Sequence, residues 1–367
     1  MKILINLIGG QPAPVFIGIR LINPDKIIFF YSKDSKIQVN RIKNTLSNYN
    51  YEEIEVPPYD FESCSDELKN VLTRYERDEI ILNLTSGTKI MSLAAYKIFD
   101  EEKREIIYID SQNHVLIKFN GDEKSVTSKI NLILSIKDYF SIYGYPIKID
   151  QKRFESNDVY ENIRDIMSKY YFQIKNIISD VNRQINQKKS LIESTDPSGQ
   201  CYLRYNLKKS KGVLHVSQGR DKYSLEINSQ NEFDYINGYW YEDYIFEKLR
   251  SSDLFDDIER NVKIYTLKDN LTPQYLNELD VCCIRNQTLY IFECKTGSID
   301  KSIIEKLRLI KTITGTYSKI YLVTLFKPLE NTALERIRDF KIELITFKDI
   351  DKFIHGFNEN ASINPNL

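Results

Sequence analysis

The sequence has little of what disulfide frameworks and structural metal sites are built from. Its 367 residues include three histidines and five cysteines, Cys64, Cys201, Cys282, Cys283 and Cys294, and no CxxC pair. That argues against a structural zinc site and a disulfide lattice, and it predicts reduced thiols in a cytoplasmic protein. No apolar run approaches the roughly 18 residues needed to span a bilayer, so no membrane segment is expected. The first residues, MKILINLIGGQPAP, pair a basic group with an apolar run but lack a cleavage region. They read as a first buried strand. Charge of one sign is missing too. The formal net charge is -1, so any nucleic-acid site must come from local clustering.

Hydrophobic residues make up 42% and charged residues 28%, enough apolar surface for a packed core. Through residue 120, KILINLI, KIIFFYS, YEEIEV, EIILNL and EIIYID read as strands. VFIGIRLI, IQVNRIKNTL, DELKNVLTRYE and IMSLAAYKIF read as helices between them. Apolar runs alternating with helical periods predict an α/β fold with a mostly parallel sheet covered on both faces. Ligands of such sheets bind beyond the carboxyl ends of the strands. The turns there are GGQPAP, YSKDSK, PPYDFES and TSGTK.

Residues 121–195 read as largely helical, a connector between two functional ends. DPSG at 196–199 marks a turn, and CYLRYNL, GVLHVS and KYSLEI follow as short strands. Basic residues outnumber acids between Arg183 and Lys222, with Lys208, Lys209 and Lys211 close together and Tyr202, Tyr205 and Tyr223 interleaved. Basic groups hold phosphates and aromatic rings stack bases, so this segment is a candidate nucleic-acid contact. An ordinary solvated sheet face is the alternative. From residue 238 the order becomes α-β-β-β-α-β, with an added helix and strand.

Within this last region, NELDVCCIRNQTLYIFECKTG puts carboxylates into two apolar runs. A two-residue turn at Asn286 and Gln287 sets Asp280 opposite Glu293, and Lys295 shares their face because strand side chains alternate. Two carboxylates among apolar groups repel and are poorly solvated, a conflict that a hard divalent cation removes. Mg²⁺ or Mn²⁺ held by Asp280, Glu293 and the backbone carbonyl of Cys294 can activate water and neutralise phosphodiester charge. Lys295 can orient or deprotonate that water. Glu242, on the preceding helix, is a candidate outer carboxylate. Exposed acids at the end of a hairpin are the bland alternative. The arrangement resembles the PD-(D/E)xK nuclease superfamily, the restriction-endonuclease-like fold, over roughly residues 238–325. Asp280, Glu293 and Lys295 match its core motif and Glu242 the acid of its first helix. The Pro before the motif Asp is replaced by Leu279.

The second focus is EIILNLTSGTKIMSLAAYKIF. Thr85, Ser86, Gly87 and Thr88 offer hydroxyls and amides at a helix N-terminus, where anions are favoured, and Lys89 adds charge. The first glycine of a Walker A loop and its spacing are absent. A well-capped turn would explain these residues equally well. Together with LIGGQPAP after the first strand, the stretch is similar to a CARF domain, the Rossmann-like sensor of CRISPR-associated proteins. The combination with a PD-(D/E)xK domain resembles CRISPR-associated nucleases activated by cyclic tetra-adenylate. That resemblance implies a homodimer sharing one cyclic ligand across its two-fold axis, and a nuclease for DNA and/or RNA acting in type III antiviral defence. It implies ligand contacts at Gln11, Thr85, Ser86, Gly87, Thr88 and Lys89, and Ser32 and Asp60 are added from the ends of neighbouring strands. The expected domains are a CARF sensor at 1–145, a helical and small β connector at 146–235, and a nuclease at 236–367. The alternatives are a ligand-controlled nucleic-acid-binding regulator with an inactive nuclease fold and a DNA-repair nuclease. The intact Asp280, Glu293 and Lys295 argue against the first, and the TSGTK turn against the second.

Overall fold

The first strand, β1 (Lys2–Ile8), is buried along nearly its whole length, as a strand covered on both faces must be. The computed structural model describes residues 1–119, 124–150, 158–268, 272–297, 299, 301–325 and 331–362. After β1 come α1 (Ala13–Ile22), β2 (Lys26–Tyr31), α2 (Lys36–Thr45), β3 (Asn50–Glu55) and α3 (Phe61–Arg74). Then follow β4 (Glu79–Asn83), α4 (Lys89–Glu101), β5 (Ile106–Asp110), β6 (Val115–Phe119) and β7 (Val126–Lys129). These strands form one seven-stranded sheet in the order β3-β2-β1-β4-β5-β6-β7. The first five strands pair in parallel, and β6 and β7 close the edge as an antiparallel meander. One face packs on α3 and α4 through Leu68, Val71, Met91 and Ala95.

The other face does not end at a domain surface. Its residues Leu4, Ile107 and Ile109, with Phe16 of α1, share one continuous core with Val262, Cys282, Ile291 and Leu322 of a second sheet. That sheet has six strands, ordered β17-β16-β15-β14-β13-β8. Its first member, β8 (Ile147–Ile149), follows α5 (Ile136–Ile142) directly. The others are β13 (Asp257–Lys268), β14 (Thr272–Arg285), β15 (Thr288–Lys295), β16 (Lys319–Thr324) and β17 (Glu343–Thr346). Helix α9 (Lys301–Ile313) lies between the sheets, burying Ile304, Leu307 and Ile310 in the shared core.

Between β8 and β13 lie α6 (Asp158–Asn186), β9 (Leu191–Thr195), β10 (Cys201–Asn206), β11 (Lys211–Gln218), β12 (Asp221–Ile227), α7 (Gln230–Asp234) and α8 (Trp240–Arg250). They build a four-stranded antiparallel sheet, β12-β11-β10-β9. It joins α6, α8 and the outer face of the nuclease-side sheet in a second core around Trp240, Tyr205 and Phe292. The chain ends with α10 (Asn331–Asp339), β17 and α11 (Ile350–Ser362).

Three local readings change. Of the apolar stretch at 130–140, only the part from Ile136 is helical, in α5, whose start Ser135 caps by accepting from the Asp138 amide. The small sheet has four strands, since Leu191–Thr195 pairs with β10. The helix predicted from residue 238 starts as α8 at Trp240, behind α7 and a π turn, Tyr235–Tyr239. Among the described residues no helix is long and apolar enough to cross a membrane.

Candidate active site and ligand turn

The β14–β15 hairpin turns on Asn286 and Gln287, both with positive φ (47° and 61°). That geometry fits the right-handed strand twist and fixes the register. The ladder runs from Arg285–Thr288 to Val281–Phe292, so its last pair adjoins Asp280 and Glu293. Glu278 pairs across the sheet with Lys263 of β13 rather than with Lys295.

Asp280 is 8% exposed and Glu293 fully buried. The Lys295 ammonium stands 2.7 Å from Glu293 Oε1 and 3.6 Å from Asp280 Oδ2. The amide of Cys294 donates to Asp280 Oδ2 (2.7 Å), and the Cys294 carbonyl accepts from Lys295 Nζ (3.0 Å). Burial, then the charge of Glu293, pushes the Asp280 carboxyl up to about 6. Burial works against the Lys295 ammonium, yet Asp280 and Glu293 together raise it above its usual value. Two buried carboxylates and a carbonyl on adjacent strands are the donor set a hard divalent cation takes, with water and phosphate oxygens completing its shell. Among the described residues no set of three His, Cys, Asp or Glu side chains is placed to hold a metal ion.

Glu242 lies half-buried in the first turn of α8, and its charge acts on the Cys294 thiol and on Arg260. Beside it, buried Asp243 accepts from Arg164 (3.0 Å), Arg260 and the Tyr235 hydroxyl. This cluster anchors α8 against α6 and β13.

Two groups at the site escaped the sequence reading. Lys306 of α9 donates to both Glu293 oxygens, at 2.8 and 2.7 Å. The sequence shows only a lysine within the apolar stripe of Ile303, Ile310 and Ile313, and nothing in that pattern points to Glu293. Thr324 pairs with Lys295 across β15 and β16. It is 1% exposed, and its hydroxyl has no hydrogen-bond partner among the described residues. A buried orphan hydroxyl beside a carboxylate pair fits a site that water or a phosphate oxygen enters.

The sensor sheet steps outward from β1 to β2 and β3 on one side, and to β4 and β5 on the other. The switch point, where ligands of such sheets bind, lies beyond the carboxyl ends of β1 and β4. The loops there meet: the Gly9 amide donates to Ser86 Oγ at 3.0 Å. Thr88 caps α4 by accepting from the Met91 amide, and it also donates to the Pro58 carbonyl. Lys89, the first residue of α4, is exposed. Gly87 has φ +89°, and a β-carbon there would lie 2.9 Å from that of Leu7. Backbone geometry alone thus accounts for this glycine. Thr85 turns inward, donating to Asn83 Oδ1 and accepting from the Ile109 amide, each at 2.7 Å. Ser32 closes a capping box with Ser35, and Asp60 caps α3 through the Ser63 amide. Gln11 accepts a hydrogen bond from the Tyr143 hydroxyl (3.2 Å). Lys208, Lys209 and Lys211 are exposed at the β10–β11 turn, while Arg204 pairs with Glu193.

Residues 3–139 match the model of the Card1 CARF domain, and residues 229–360 match that of the Card1-like endonuclease domain. The chain is a CARF-domain endonuclease of the Card1 type. Solved structures agree on the fold of this CARF endonuclease. Can2 from Sulfobacillus thermosulfidooxidans, in complex with cyclic tetra-adenylate, superposes with a TM-score of 0.76 at 20% identity, over 98% of this chain and 99% of that one. VC1899 from Vibrio cholerae gives 0.76 at 18% identity, over 97% and 98%. A type III CRISPR defence DNA nuclease activated by cyclic oligoadenylate gives 0.57 at 13% identity, over 88% of this chain and 45% of that one. No curated protein sequence matches the CARF endonuclease.

Proposed function

We propose that this chain is a metal-dependent endonuclease, switched on by cyclic tetra-adenylate and acting in the cytoplasm as an effector of type III CRISPR antiviral defence. The observation that carries the reading is the convergence of Asp280, Glu293 and Lys295 at one buried point, in a chain whose seven-stranded sheet brings the loops of Gly9 and Ser86 together at its switch point. The cyclic tetra-adenylate held by Can2 supports the choice of activator. The ligand would sit on the Gly9–Gln11 and Thr85–Lys89 loops. There the α4 N-terminus and Lys89 favour phosphate, and two chains would share one ring.

Asp280, Glu293 and the Cys294 carbonyl would hold Mg²⁺ or Mn²⁺. The bound ion supplies a more acidic water and a counter-charge for the phosphoryl oxygens. Lys295, held beside Glu293 as an ammonium, would orient the attacking water and face the charge that builds on the phosphate. Thr324 offers its hydroxyl to the same water or to a phosphate oxygen. Glu242 orients groups from the α8 side. Lys208, Lys209 and Lys211 draw the DNA or RNA backbone by counterion release.

An assay matrix tests the reading. Purified protein is mixed with cyclic tri-, tetra- or hexa-adenylate, with Mg²⁺, Mn²⁺ or EDTA, and with single- and double-stranded DNA and RNA. Cleavage should need the tetra-adenylate and a metal together. Equal cleavage without activator, or in EDTA, would overturn it.

A further inference from the structure

We propose that Lys306 is a positioning residue of the nuclease site. It stands on Glu293 as an internal cation, and its helix is tied to the ligand loops so that activator binding withdraws it and admits the divalent metal. This inference rests on the reading of both sites given above.

The first argument is charge. Lys306 spans both oxygens of Glu293, the edge a metal would approach, and Lys295 takes one of the same oxygens. Glu293 is fully buried. Two ammonium groups therefore balance the two carboxylates, and the foursome is formally neutral. A divalent cation entering a neutral buried cluster meets two like charges at close range, where screening is weak. With Lys306 gone, the cluster carries a net negative charge and attracts the ion.

The second argument is mechanical. Lys306 lies eight residues before Thr314, roughly 12 Å along a helix axis. The Thr314 carbonyl accepts from the Tyr139 hydroxyl at 2.6 Å. Tyr139 stacks on Tyr143, with ring centroids 5.0 Å apart and planes 23° apart. Tyr143 donates to Gln11, two residues after the glycine whose amide holds Ser86. Tyr143 also presses on the turn that ends α9, where a β-carbon on Gly315 (φ +80°) would run into its hydroxyl. Direct contacts thus link the ligand loops to the end of the helix that carries Lys306. Both tyrosines are buried, and a close-packed core passes on a displacement rather than absorbing it. Because binding linkage is reciprocal, activator and metal should tighten each other.

The test is Mn²⁺ binding by calorimetry without nucleic acid, with and without cyclic tetra-adenylate. In the wild type the activator should tighten Mn²⁺ by about fivefold or more. Lys306→Met and Lys306→Gln should bind Mn²⁺ that much more tightly without activator, and gain little when it is added. Lys306→Arg should restore the wild-type pattern. Tyr143→Phe should bind activator as the wild type does and lose most of the tightening. Unchanged Mn²⁺ affinity in both neutral Lys306 variants would overturn the proposal. Full tightening in Tyr143→Phe would overturn its route. Failure of the wild type to bind cyclic tetra-adenylate would sink the sensor reading and the coupling together. The Lys306 comparison needs no activator and decides the internal cation by itself.

Discussion

Replacing Glu293 with Gln keeps the side chain's shape and removes the charge that Lys295 and Lys306 both hold. Cleavage should vanish while calorimetry shows that the activator still binds. Lys295→Ala should slow cleavage by about a hundredfold or more, because a cation facing the transition-state charge is lost, with the fold intact by circular dichroism. Thr324→Val swaps an orphan hydroxyl for a methyl of like size. It should raise stability by about 1 kcal/mol, since an unpaired buried group is removed, and lower turnover in the same protein. A thermal melt and a cleavage assay together check this. The two obvious changes at the ligand turn are unequal. Gly87→Val places a β-branched residue at φ +89° and against Leu7, so it should cost roughly 1–3 kcal/mol of stability with no ligand present. Lys89→Ala, at an exposed position, should weaken activator binding and leave the melt unchanged. Asp280, Glu293 and Lys295 were legible in the sequence because a two-residue turn and strand alternation are local rules. Lys306 was not, since only tertiary packing brings α9 over β15. The hydroxyl of Thr324 gave no signal either, because a Thr in an apolar strand reads as strand propensity.

At the scale of elements, the alternation of apolar runs and helical periods was enough to place β1 to β5, α1 to α4 and the β13–β16 series. The strand β9 has alternating burial but begins five residues after the long α6, and a period of two is hard to read over five residues. Around the π turn before α8, the Tyr235 hydroxyl donates to buried Asp243, a contact that no single-helix pattern announces. The β10–β11 turn carries the charge that the rest of the small sheet neutralises locally. Replacing Lys208, Lys209 and Lys211 together with Ala should make the salt dependence of substrate binding shallower by up to about 3 in log–log slope, near one per lost phosphate contact. Fluorescence anisotropy at several salt concentrations reads this directly, and an unchanged slope would make the turn an ordinary solvated loop.

For the whole molecule, the shared core between the sensor and nuclease sheets predicts one cooperative melt rather than two. Differential scanning calorimetry should show a single transition that rises with activator, since a ligand of the folded state stabilises it by mass action. If two chains enclose one ring, titration should saturate at one ligand per two chains, and one per chain would refute the shared ring. The three residues of β8 bear on a different matter, how such proteins can be recombined. They leave the sensor side through α5, complete the edge of the nuclease sheet against Val262 and Ile264, and only then lead into α6. A crossover placed after residue 150 would hand the nuclease's edge strand to the sensor. One placed before residue 136 would take from the sensor the helix that covers its core. Exchange among relatives must therefore move the seam intact, or repair a bare edge and an uncovered core face in the same event.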